Sequence, residues 1–175
     1  ANFMESKKIQ PDSEWAALRE AQTKALKLDQ VGMAVTIDIG LADDIHPKNK
    51  QEVGRRLALV ALAGSYGKNV SSSAPVFQNY IIKGNKMELD FGQKQDGFQI
   101  KGTTLKGFTI AGPDRVFYPA EAMVHDGKII LSSTEVPAPL AARYGWADNP
   151  DCNLYGENGP VSYTHLRAHE TSQDL

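Results

Sequence analysis

One cysteine, Cys152, stands in the whole chain, so no intrachain disulfide can form and the redox compartment stays open. No apolar run approaches the roughly 18 residues that a bilayer-spanning helix requires, and no membrane span is expected. Charge of either sign is not in excess: the formal balance is −2, which gives no electrostatic reason to expect nucleic acid or an anionic membrane as a partner. Residues 1–8 lack the basic-then-apolar pattern of a signal peptide, and the first residue is not Met, so the chain is expected to begin inside a longer gene product. The four histidines (46, 125, 165 and 169) make no zinc-ligand series with cysteines, and no cofactor or metal is expected. His165 and His169 have the i, i+4 spacing of helical metal ligands but lack a third ligand at useful spacing. There is no internal repeat and no low-complexity segment.

What is present is an ordinary globular composition, 41% apolar and 23% charged, which excludes wholesale disorder. Residues 11–28 read as a helix capped by Asp12 or Ser13, with Trp15, Leu18, Ala21, Ala25 and Leu28 near helical spacing and Gly32 as a left-handed stop. Met33 to Ile39 reads as a strand buried on both faces of a parallel sheet, because its apolar residues do not alternate. Lys48 to Ala63 reads as a second helix with Pro47 near its first turn. Its apolar stripe is Val53, Leu57, Val60 and Ala61, and Arg55 and Arg56 are assigned to a solvated face.

After Gly67 the composition changes, and from Val76 the period becomes two. Gly84-Asn85 and Asp126-Gly127 are two-residue hairpin loops between alternating runs. Leu105 to Ala111, Arg115 to Tyr118 and Leu140 to Trp146 supply further strands, about six in all, as in a small antiparallel sandwich.

Between the first strand and the second helix lies Ala42-Asp43-Asp44-Ile45-His46-Pro47. In α/β sheets sites form beyond the carboxyl ends of strands, which is where this loop falls. His46 brings to this loop an imidazole, the side chain most often used as a general base. A neighbouring carboxylate would fix its tautomer, and Asp43 and Asp44 are both candidates. The Asp-x-x-His spacing is by itself weak: a solvated loop, with Asp44 capping the next helix, fits it too. Tyr144 and Trp146 could stack on a sugar ring, though core packing is the commoner use of aromatics in a small β unit. Asn149 to Asn153 fits a site rim or a tight turn equally, and Cys152 is read as inert.

Longer stretches are more specific. Gly32 to Gly40, Asp44 to Ala58, Trp15 to Gln22, Leu105 to Gly112, Arg143 to Pro150 and Asn153 to Tyr155 together resemble the sialate O-acetylesterase family, an SGNH-type carbohydrate esterase family, over about residues 1–159. The resemblance implies the C-terminal part of a three-layer α/β esterase domain over residues 1–70 and a small antiparallel β-sandwich-like domain over 71–159. It implies a metal-free serine hydrolase that removes acetyl groups from sugar hydroxyls. A serine attacks, His46 takes its proton, and a carboxylate orients His46. Asp43, which matches the general SGNH spacing, ranks first for that role, and Asp44, in the more family-like Asp-Ile-His-Pro string, second. The substrate implied is an acetylated carbohydrate, and the family is usually periplasmic or secreted.

Two departures accompany it. The family's Gly-x-Ser nucleophile block has no counterpart upstream of the loop, where Ser6 and Ser13 stand in other contexts. The missing N-terminal part of the same enzyme is therefore an implied partner, and this polypeptide alone is expected to be inactive. Residues 160–175 leave the family pattern: Val161 to Ser172 resembles translated adaptor or vector sequence, an artefactual or disordered tail. The rival reading is a carbohydrate-binding or interaction β-module with a vestigial Asp-His loop, which glycan titration of the β unit would distinguish.

Overall fold

The computed structural model describes residues 12–46, 48–72, 75, 77–92 and 97–156. The placement of Pro47, the histidines at 165 and 169 and the tail from 160 onward lie outside them. Helix α1 spans Glu14–Lys24 and runs on as a short 3-10 turn, Ala25–Lys27. Ser13 is its N-cap, accepting from the Ala16 N–H at 3.1 Å. Such a cap satisfies one of the donors left open at a helix start. The left-handed residue beyond the helix is Gln30, not Gly32. Gly32 serves close approach instead, since a Cβ there would run into the Val60 side chain.

Helix α2 spans Lys50–Gly64, capped by Asn49, whose side chain accepts from the Glu52 N–H at 3.1 Å. Asp44 is not that cap. The expected apolar stripe is also rotated: Arg56 is the buried residue of α2, flanked by half-buried Val53 and Val60, while Leu57 is 51% exposed. The inward face is set by the segment it covers, residues 32–38, and that segment presents a carboxylate for the arginine.

The strand expected over Met33–Ile39 does not form. Residues 31–36 run without ladder pairing and 37–39 make a turn, closed by Ile39 N–H to Thr36 O at 3.2 Å. The physical reason is that a parallel strand exists only by its ladder, and no neighbouring strand stands beside this segment among the described residues.

The rest is antiparallel. Strands β1 Asn79–Lys83, β2 Lys86–Asp90, β6 Glu121–His125 and β7 Lys128–Ser132 form a four-stranded sheet in the order β1-β2-β7-β6. Strands β4 Phe108–Ala111, β5 Phe117–Pro119 and β8 Ala141–Tyr144 form a second sheet, β5-β4-β8, and β3 Phe98–Ile100 pairs with β9 Leu154–Gly156. Both hairpins fall where the turn residues put them. Gly84 alone has positive φ in the first loop, as a II′ turn requires; Asp126 and Gly127 both do in the second, as in I′. Period-two burial turns Met87, Leu89, Ile129 and Leu131 inward from the first sheet. They share one core with Phe108, Ile110, Ala142, Tyr144 and Leu154 from the other strands. Strands β3 and β9 add to the strands expected from the residues, and β9 follows the one expected over Leu140 to Trp146.

Candidate active-site loop

The loop between residue 40 and α2 is mostly exposed, with Asp44 half-buried. A backbone bridge joins Leu41 to Asp44, the Asp44 N–H donating to Leu41 O at 3.4 Å. Asp44 then turns its carboxylate onto His46: Oδ1 accepts from the His46 backbone N–H at 2.8 Å and lies 3.3 Å from the ring Nδ1. The backbone bond is the largest cause holding the Asp44 carboxyl below its ordinary value, so it is charged at neutral pH. A charged acceptor at Nδ1 keeps the proton there and presents the Nε2 lone pair outward. Nε2 has no partner among the described residues, and the His46 side chain is 79% exposed. Asp43, the first-ranked carboxylate by spacing, is exposed, and the bond to the ring comes from Asp44.

Beside the loop opens a cleft of about 570 Å³. Trp15, Leu18 and Arg19 of α1 form one wall, Val31 to Ile37 the floor, Leu41, Asp44 and Ile45 the loop side, and Asp148, Asn149 and Pro150 the far rim. The β unit supplies that rim. Ser13 Oγ donates to Asp148 at 2.6 Å, and Arg19 donates to the carbonyls of Gly145 and Ala147 at 2.9 and 2.6 Å.

Behind the loop lies an ion-pair cluster that sequence reasoning missed. Arg56 donates to Asp38 through two nitrogens, at 2.6 and 2.8 Å, to Val35 O at 2.6 Å and to Glu52 at 2.8 Å. The side chains of Arg56 and Asp38 are only 4% and 7% exposed. The pairing holds the guanidinium charged well above its usual range, the Asp38 bonds being the largest cause. Glu52, bonded by Arg55 and then Arg56, is pulled down to about 2. The Tyr155 hydroxyl reaches Asp38 Oδ2 at 3.3 Å. Helical spacing reads Arg55-Arg56 as one solvated pair; the available signal was Asp38, a charge inside an otherwise apolar run.

Tyr144 is core: it is 2% exposed, its ring centre lies 4.4 Å from that of Phe108, and its hydroxyl accepts from the Leu154 N–H at 3.0 Å. Trp146 lies against the Arg143 guanidinium, 4.1 Å from its ring centre, with Phe117 on that cation too at 3.9 Å. Neither arrangement is a free sugar-stacking platform. Burial pushes the Cys152 thiol up to about 12, so it is protonated and a poor nucleophile at neutral pH. Asn153 is a staple: it donates to the carbonyls of Lys101 and Thr104 and accepts from the Lys106 N–H. No group of three or more metal-ligating side chains occurs among the described residues. No helix there is long and apolar enough to cross a membrane.

Fold and loop together define a compact antiparallel β unit carrying a helical segment whose exposed loop holds a histidine–carboxylate pair. Among solved structures the chain is similar to the crystal structure of a carbohydrate acetylesterase from Xanthomonas citri, with 44% identity and a TM-score of 0.82. The likeness covers 89% of this chain and 37% of that one, so the chain spans little more than a third of that relative's length. No protein-family profile and no curated protein matches the chain.

Proposed function

We propose that this chain is the C-terminal portion of a carbohydrate O-acetylesterase that cleaves acetyl esters of sugars, a sialic acid or another acetylated glycan, by serine chemistry. The observation that carries the reading is the Asp44–His46 pair, with Nε2 open, in a chain 44% identical to a carbohydrate acetylesterase. In the proposed reaction a serine from the missing N-terminal part attacks the acetyl carbonyl. His46 Nε2 takes the hydroxyl proton and later returns it to the departing sugar oxygen. Asp44 orients the imidazole and stabilises its charged form, a role for which the Nδ1 distance favours it over Asp43. Oxyanion donors come from other loops of that part. Water then releases acetate, and no metal or organic cofactor takes part.

The domain division goes with this reading: residues 1–70 complete a three-layer SGNH-type α/β domain, 71–159 form the β domain, and 160–175 are foreign to both. The apolar cleft and the unpaired segment 31–36 support the idea that further strands and helices cover them in the whole enzyme. The test joins this chain to the preceding portion of the Xanthomonas relative and measures acetate release from an acetylated sugar and an aryl acetate. The joined enzyme turns over, His46→Ala loses at least about 10³-fold in kcat, Asp44→Asn loses more than Asp43→Asn, and the 175-residue chain alone is inactive. His46-dependent acetate release by the chain alone, or a joined enzyme indifferent to His46→Ala, would overturn the reading.

A further inference from the structure

We propose that Tyr155, Asp38 and Arg56 are positioning residues, a clamp through which the β unit sets the attitude of the loop bearing Asp44 and His46. The catalytic consequence rests on the esterase reading; the clamp itself does not. The segment from Ile39 to Asn49 joins the unpaired floor segment to α2, and from Gly40 to His46 it has little burial of its own. Its two ends are closed on each other by one ion pair. Asp38 stands immediately before the segment, Arg56 sits in the second turn of α2 just after it, and they meet through two bonds of 2.6 and 2.8 Å. Arg56 also holds the Val35 carbonyl at 2.6 Å, so the approach to the loop is fixed just before the turn at residues 36–39 as well as within it. A bidentate guanidinium fork defines direction as well as distance, which an apolar contact does not.

The link to the β unit is the Tyr155 hydroxyl on Asp38 Oδ2 at 3.3 Å. Tyr155 lies in β9, is 5% exposed, and has Lys101 over its ring at 4.1 Å. Its ring is therefore held by the β unit whether or not the hydroxyl finds a partner. From Asp38 the chain reaches Asp44 through two short turns, 36–39 and 41–44, each closed by one backbone bond. With so little else restraining it, the loop takes its placement from the buried pair, and the pair takes its placement from β9.

The experiment compares Tyr155→Phe, which removes only the hydroxyl, and Arg56→Lys, which keeps the charge and loses the fork, with the parent chain by 15N relaxation. The expected result is that amide order parameters over residues 39–46 fall from about 0.85 to below about 0.6 while those of the β strands stay unchanged. A purely structural role would loosen the strands together with the loop, and that result, or an unchanged loop, would overturn the proposal. In the joined enzyme Tyr155→Phe is expected to lower kcat about tenfold with KM nearly unchanged, the sign of a misplaced group rather than lost binding. If the loop loosens but the unsubstituted joined enzyme is inactive, the clamp stands and the esterase reading falls. A loosened loop with undiminished kcat in an active joined enzyme would refute the positioning role.

Discussion

The two halves of the described chain solve burial differently. Among the described residues from 12 to 70, Ser13, Ala16 and Arg56 are buried, together with the side chain of Asp38, and all but Ala16 are polar. From 77 to 156 a closed core of aliphatic and aromatic side chains joins strands of all three sheets. The exposed large apolar residues divide the opposite way: ten of fifteen, from Leu18 to Val70, lie in the first half. The β unit is thus complete in its own contacts, whereas the helical half is held by directional bonds and keeps its apolar surface open. A surface of that kind marks where further protein packs.

The largest effect that would break this contrast is at Arg56. Arg56→Met leaves Asp38 buried without its cation, and losing one member of a buried pair costs about 3–5 kcal/mol. The expected outcome is that residues 12–70 lose protection from hydrogen exchange while the β strands keep theirs. Equal loss in both halves would show one cooperative unit instead.

Next come matched truncations. Leu89→Ala, at a fully buried position, is expected to destabilise the β unit by about 2–5 kcal/mol in denaturant unfolding, whereas exposed Leu57→Ala changes the isolated chain by no more than about 0.5 kcal/mol. In the joined enzyme Leu57→Ala should cost clearly more, because its face is then covered. An unchanged cost there would argue against the joined N-terminal part packing on α2.

A smaller effect concerns acid. Glu52 titrates at about 2 in the folded chain against an ordinary 4.5, so its contribution is fully present above 4.5 and is lost as pH falls through 2. Glu52→Gln is expected to lower the stability of α2 at neutral pH and to flatten its loss of helicity, followed by circular dichroism, between pH 4.5 and 2. Identical acid curves for parent and variant would remove Glu52 from the account.

Much of the β unit was legible in the residues. Gly84-Asn85 and Asp126-Gly127 announce their turns because few residues accept positive φ, and the flanking alternation matches the sheet pleat. Strands β3 and β9 were not, since three residues carry no period and their pairing spans more than fifty positions. In the helical half, position and type of α1 and α2 were legible from spacing, and α1 also from its cap, but the cap and the facing of α2 were not. Periodicity ranks side chains by hydrophobicity, and it cannot foresee that Asp38 calls a guanidinium inward. Met33–Ile39 has strand composition and no strand neighbour among the described residues, so local preference went unrealised. At the candidate site, His46 was legible from its loop. Spacing ranks Asp43 ahead of Asp44, yet Asp44 is the one that meets the ring, because a turn can aim either carboxylate there.

The most direct measurement of the central claim labels the joined enzyme with a fluorophosphonate, which captures activated serines, and locates the adduct by mass spectrometry. One adduct is expected on a serine of the joined N-terminal part, strongly slowed by His46→Ala, and none on the 175-residue chain alone. An adduct on a serine within this chain, or labelling that His46→Ala leaves as fast as before, would contradict it.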